Sequence, residues 1–241
     1  MSLQHFAKPQ WLTFDCYGTL IQWDEGLLEY VRQLLRQKGI AHREADFIRV
    51  YDNYEHDLEQ QSAYMSFRQV SAQALRRTLA DLDASYEPDD GEAFVARIGR
   101  MPPFPEVVET LGWLKQQGFK LCIVSNTDDD IIAGNVAQLA GHVDRVITAQ
   151  QAQAYKPDPR LFDFAHASLG VQRSQVLHIC ASPHLDLVAA RDMGFHCIWI
   201  DRGTQRVAPA DYQPDAVLPR LDGLRQLFAS LGWTRDQGVT Q

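Results

Sequence analysis

Hydrophobic positions along this chain fall into two regimes. Short apolar runs of strand length occur at WLTF (Trp11–Phe14), KLCIVS (Lys120–Ser125), RVIT (Arg145–Thr148), VLHICA (Val176–Ala181) and HCIWI (His196–Ile200). After the second run, a stretch of helical spacing precedes each new strand. That alternation predicts a parallel sheet with helices on both faces. Such sheets bind ligands beyond the carboxyl ends of their strands, so the residues directly after each run are the candidates for chemistry.

The interval between the first two runs follows a different period. From about Asp24 to Gly99, apolar residues recur at helical spacing, as in Leu27, Leu28, Val31, Leu34 and Leu35, and again in Phe47, Val50, Tyr51, Tyr54 and Leu58. No strand is predicted there. The chain therefore divides into an α/β core, residues 1–20 and 100–241, and an inserted helical module, residues 21–99. Asp89, Asp90 and Gly91 read as the approach to the last helix of the module, and the proline-rich MPPFPEV at Met101–Val107 as the return to the core.

Composition narrows the class. A chain of 241 residues with 45% hydrophobic and 22% charged content buries one core and a smaller module, and is not disordered. A net charge of -8 with no basic cluster argues against a nucleic-acid partner. The opening MSLQHFAKPQ has no apolar signal core, and no run approaches the ~18 apolar residues of a membrane span. The expectation is a soluble cytoplasmic protein with no membrane partner. Its four cysteines, Cys16, Cys122, Cys180 and Cys197, form no C-x-x-C pair and lack histidines at zinc-ligand spacing.

Four segments at strand ends carry the candidate chemistry. TFDCYGTLIQW places Asp15 at the end of the first strand, with Gly18 in a sharp turn after it. SNTDDD, Ser125–Asp130, combines a hydroxyl, an amide and acids suited to a helix's positive first turn, and such a helix start is also an anion site. YKPDPRLF, Tyr155–Phe162, offers Lys156 as a fixed cation beside Asp15, while Asp158 and Pro159 read as a helix cap and its first residue. CASPHLD, Cys180–Asp186, ends on Asp186.

In this order the four segments resemble the motifs of the haloacid dehalogenase superfamily, and the resemblance covers nearly the whole core. It implies a Rossmann-like doubly wound parallel sheet with an inserted helical cap domain, and an aspartate nucleophile, Asp15. Two positions depart from the superfamily's phosphatase pattern. Ser182 stands where a second acid would support magnesium, and Tyr17 stands two residues after Asp15, where an acid would protonate a leaving alcohol. A halide needs no such proton.

The D-x-Y-G-T-L form and the helical cap are similar to the L-2-haloacid dehalogenase branch. That likeness implies a small anionic substrate, a short 2-halo carboxylic acid, and no cofactor. Asp15 would attack the halogen-bearing carbon and Asp186 would direct water at the resulting ester. Thr19 and Lys156 would support Asp15, while Tyr17, Ser125 and Asn126 would contact substrate. A cap arginine would receive the halide, with Arg49 or Arg68 as candidates.

The branch's Ser-Ser-Asn run before the last aspartate is replaced by Ala181, Ser182 and Pro183. Among the cap aromatics, Tyr51, Tyr54, Tyr64 and Phe67 suit packing at helical spacing, Tyr51 also suits a pocket wall, and Trp23 suits a hinge contact. Two other functions compete. One is a magnesium-dependent phosphatase, with the metal on Asp15, the Tyr17 carbonyl and Asp186. The other is a catalytically silent binding protein that keeps the fold. Helical caps also furnish dimer surfaces, so a homodimer is an open expectation.

Overall fold

The computed structural model describes residues 3–204 and 206–234. Six parallel strands form one sheet in the order β3-β2-β1-β4-β5-β6. They are β1 (Trp11–Phe14), β2 (Lys120–Ser125), β3 (Arg145–Thr148), β4 (Leu177–Cys180), β5 (His196–Ile200) and β6 (Ala216–Leu218). Between β1 and β2 stand α1 (Trp23–Gln37), α2 (Glu44–Glu59), α3 (Phe67–Asp81), α4 (Pro88–Ile98) and α5 (Val107–Gln116). The later helices are α6 (Asp129–Ala137), α7 (Ala149–Ala152), α8 (Pro159–Leu169), α9 (Val188–Met193) and α10 (Leu224–Ser230).

Side-chain alternation along the strands builds two apolar layers. Leu121 and Ile123 face one side, with α5 and α10 supplying Leu111, Leu114, Leu224 and Phe228. Cys122 and Val124 face the other, against Leu161, Phe162 and Ala165 of α8 and Ala189 and Ala190 of α9. β1 pairs with both β2 and β4, so Leu12 sits in register with Leu121 on one side and Leu177 on the other. The chain order reverses at this β1–β4 junction, which puts the crevice of the sheet beside the end of β1.

The interval between β1 and β2 contains no strand, as its helical period predicts. Helices α1 to α4 pack on one another through Val31, Leu35, Phe47, Leu75 and Phe94, and this apolar cluster runs on into the first sheet layer. Phe94 is held by Tyr30 at 5.2 Å and by the edge of Tyr51 at 5.3 Å. Two differences from the sequence reading have simple causes. Asp89, Asp90 and Gly91 lie inside the first turn of α4, because Pro88 starts the helix and Asp90 closes its capping box. β6 goes unpredicted because it is only three residues long and partly exposed, which gives it no apolar run.

Polar contacts fix the helical layer to the carboxyl end of the sheet. Asp128, just after β2, accepts from the backbone N–H groups of Phe67 at 3.0 Å and Arg68 at 2.9 Å. Ser66 accepts from Gln69, so these two residues supply most of the partners that the start of α3 lacks. Asn135 of α6 donates to the carbonyls of Ile98 at 2.9 Å and Met101 at 3.0 Å. The approach is close enough that a Cβ on Gly134 would lie 2.3 Å from the Gly99 carbonyl oxygen. Among the described residues, no helix is long and apolar enough to cross a membrane.

Asp128→Ala removes a capping carboxylate from α3 while leaving the sheet untouched. Stability should fall by roughly 1–2 kcal/mol, read as a lower urea midpoint with an unchanged slope; an unchanged midpoint would show that Asp128 does not anchor α3.

Candidate active site

Asp15 follows β1 and lies at the floor of a cavity of about 170 Å³ between the sheet and the helical layer. Gly18, at φ +80°, turns the chain directly after it, a conformation that L side chains rarely adopt. This turn returns Thr19 towards the nucleophile, and the Thr19 hydroxyl donates to Asp15 Oδ2 at 2.7 Å while accepting from the Ala181 N–H at 2.8 Å. Arg202, after β5, holds the same turn by donating to the carbonyls of Gly18 at 3.1 Å and Thr19 at 2.6 Å.

Lys156 is completely buried, and its ammonium lies 2.9 Å from Asp15 Oδ1 and 2.8 Å from Asp186 Oδ1. Its backbone is held too: the N–H donates to Asn126 Oδ1 at 2.7 Å. Asp186 sits on a π-type turn, Pro183–Leu187, entered through Ser182. His178 of β4 lies 2.9 Å from Asp186 Oδ1 through Nε2 and 2.9 Å from the Thr13 hydroxyl through Nδ1. An ionised Asp186 can only accept, so Nε2 carries a proton and donates to it. Asp186 Oδ2 is buried without a hydrogen-bond partner.

Burial pushes Asp15 above the ordinary carboxylate range; Lys156 and the Thr19 bond pull against it, and Asp186 adds repulsion. Burial works on Asp186 in the same direction, but there Lys156 and His178 outweigh it and hold the group low. Lys156 is itself destabilised by burial, yet the two carboxylates raise it above its usual value, so it stays charged. Burial, with Asp15 nearby, pushes the Cys16 thiol up and keeps it protonated. Tyr17 is likewise held neutral by burial, and its hydroxyl donates to Asn135 Oδ1 at 3.0 Å.

The cavity is lined by Asp15, Tyr17, Trp23, Phe67, Ser125 and Asn126, along with Glu55, Glu59 and Arg206. Asp15, Thr19, Lys156 and Asp186 thus converge, with Tyr17, Ser125 and Asn126 beside them. The Ser125 hydroxyl is buried without a partner. Arg49 does not join them: it points away on the outer face of α2, 66% exposed, 3.6 Å from Asp46. Arg68 is also committed elsewhere, to Glu92 and Asp130. Tyr51, Tyr54 and Tyr64 donate to Glu55, Asp81 and Asp128, while Phe67 and Trp23 line the cavity.

The sequence reading missed Glu55, Glu59, His178, Arg202 and Arg206. Tyr51, Glu55 and Glu59 follow one another at steps of four, which places both acids on the row of a buried tyrosine; that spacing was the available signal. His178 was hidden by its place inside an apolar run. Arg202 and Arg206 sit in a loop with no periodicity.

The two carboxylates that a magnesium ion would use, Asp15 and Asp186, already share the Lys156 ammonium. Both oxygens of Asp15 and one of Asp186 accept from Thr19, Lys156 or His178, and Ser182 supplies no second carboxylate. The buried His178, Cys180 and Asp186 cluster includes a thiol that burial keeps protonated.

The doubly wound sheet presents a buried, cation-paired aspartate at its switch point, where such sheets bind their ligands. The chain belongs to the haloacid dehalogenase-like hydrolase family, whose model matches residues 10–194. It is similar to the (S)-2-haloacid dehalogenase of Pseudomonas sp. (strain YL), 30% identical, covering 94% of this chain and 97% of that one. A phosphoserine phosphatase of Thermus thermophilus is 31% identical, but over only 57% of this chain and 54% of that one. In fold it resembles the L-2-haloacid dehalogenase from Xanthobacter autotrophicus, with TM-score 0.78 and 22% identity, covering 92% and 98% of the two chains.

The pH dependence follows from the direction of the Asp15 shift. Attack needs the carboxylate, so the acid limb of kcat/KM should lie above the ~3.9 of free aspartate. Thr19→Val removes a bond that favours the ionised form and should move that limb further up. A limb at or below the free value would contradict the assignment.

Proposed function

We propose that the protein is a 2-haloacid dehalogenase: it hydrolyses the carbon–halogen bond of short 2-halo carboxylic acids through an ester on Asp15, with residues 21–99 acting as the cap. The observation that carries this reading is the pairing of a charged-lysine nucleophile site with Tyr17 two positions on. Its hydroxyl proton is committed to Asn135, whose amide is bound in turn to Ile98 and Met101. Tyr17 therefore does not supply the proton that a leaving alcohol needs, and a halide needs none. The near full-length similarity to the Pseudomonas (S)-2-haloacid dehalogenase supports the same substrate class.

In the first step an Asp15 oxygen forms a bond to the α-carbon, and the carbon–halogen electron pair leaves with the halide. Each Asp15 oxygen accepts one hydrogen bond and keeps a lone pair for attack. Ser125 and Asn126 orient the substrate carboxylate, and Lys156 balances charge around it. In the second step Asp186, through its unpartnered oxygen, directs water at the ester carbonyl. The ester C–O bond to Asp15 breaks, releasing the 2-hydroxy acid and one proton and restoring the carboxylate.

No step in this reading needs a metal. Four free, buried cysteines support a reducing, cytoplasmic setting.

Halide release from 2-chloropropanoate should survive EDTA, and Asp15→Asn should abolish it. In a single turnover with excess enzyme in ¹⁸O-water, label should enter Asp15 and be absent from the product. Label in the product would mean direct attack by water and would sink the covalent mechanism. Magnesium-dependent phosphate release from esters without halide release would overturn the dehalogenase reading.

A further inference from the structure

The wall of the cavity facing Asp15 carries two acids where a simple halo acid would call for cations. Glu55 and Glu59, one turn apart on α2, both line it. Glu55 Oε1 accepts from Tyr51 at 2.9 Å and Glu59 Oε2 from Asn126 at 3.1 Å, which leaves each carboxyl a second oxygen. Among the described residues neither forms an ion pair. The cations nearby are already engaged: Arg206 with Asp24 at 2.8 Å, and Lys156 with Asp15 and Asp186. A substrate that is only an anion would meet Asp15, Glu55 and Glu59 together.

The same cavity offers what an organic cation binds. Tyr17 and Trp23 stand with ring centroids 5.2 Å apart, and Phe67 lines the cavity with them. Aromatic faces beside carboxylates attract ammonium groups through the negative face of the ring and through charge. The buried, unpartnered Ser125 hydroxyl stands at the sheet end, where a carboxylate docks in the reading above. The cavity is therefore polarised, with a donor site at the end of β2 and an acceptor wall on α2.

We propose that Glu55, Glu59 and the flanking aromatics form an ammonium subsite, and that the preferred substrate is a short zwitterionic 2-halo acid with an amine on the carbon next to the halogen-bearing one. This rests on the dehalogenase reading and narrows its substrate. Burial holds Glu55 up at about 7, and Glu59 also lies above its usual range. An arriving ammonium favours the ionised form of both, so binding releases protons.

The test compares halide release from 3-amino-2-chloropropanoate and from 2-chlorobutanoate, which has a methyl group in place of the ammonium. The wild-type kcat/KM should favour the amine by at least about tenfold, the scale of an ammonium contact with aromatic and carboxylate groups. Glu59→Gln, and more so Glu55→Gln/Glu59→Gln, keep the side-chain shape and the acceptor oxygens. They should collapse that preference by lowering turnover of the amine and raising that of 2-chlorobutanoate. Preference for 2-chlorobutanoate in the wild type, or an equal loss on both substrates in the variants, would overturn the subsite; the equal loss would indicate a proton-donating or structural role instead. Halide from neither compound, nor from 2-chloropropanoate, would instead overturn the dehalogenase reading itself.

Discussion

Everything at the site depends on burying one ammonium group between two carboxylates. Moving the Lys156 charge out of water costs several kcal/mol. The structure offsets this with Asp15 at 2.9 Å and Asp186 at 2.8 Å, each braced by a further bond from Thr19 or His178. The arrangement works only if three chain segments arrive together: the end of β1, the turn after β4 and the approach to α8. Parallel pairing of β1 with β4 secures the first two. Asn126, at the end of β2, secures the third by holding the Lys156 backbone.

The helical layer is bound into the same scheme. Asn135 joins the Tyr17 hydroxyl to the carbonyls that end α4, so the turn after the nucleophile and the return of the helical module share one amide. Asn126 reaches from Lys156 to Glu59 in the same way. Displacing the helices therefore disturbs groups around the nucleophile, and a ligand that draws α2 towards the sheet is felt at Lys156.

Most of the sheet and the placement of Asp15 at its carboxyl end were legible because both leave local signals. Five strands appear as apolar runs, and Asp15 follows β1, Ser125 ends β2, Asp186 lies in the turn after β4 and Lys156 in the approach to α8, at the end of the sheet where a doubly wound fold places its ligand. β6 escaped because a short, half-covered strand needs no apolar run. The wall opposite Asp15 was harder to read. Arg49 and Glu55 belong to the same helix, and only tertiary packing decides which of its faces turns inward. Phe47 and Tyr51 point into the layer, which carries Glu55 and Glu59 to the cavity and Arg49 to solvent, where it pairs with Asp46. Choosing a halide-binding arginine from residue type alone ignored that phase.

This separation of roles has a physical basis. The sheet supplies a nucleophile whose ionisation is set by contacts that change little with the substrate: an ammonium, a hydroxyl and a buried second acid. The helical module supplies the opposite wall, where Glu55 and Glu59 of α2 line the cavity and Glu59 is joined through Asn126 to the Lys156 backbone. Tyr17, two residues after Asp15, has its hydroxyl spent on Asn135. Glu55 and Glu59 face Asp15 from α2, so the wall opposite the sheet is acidic in residue type while burial draws both groups towards the neutral form. The buried aspartate–lysine pair and the wall that faces it thus reside on different elements, the sheet end and α2.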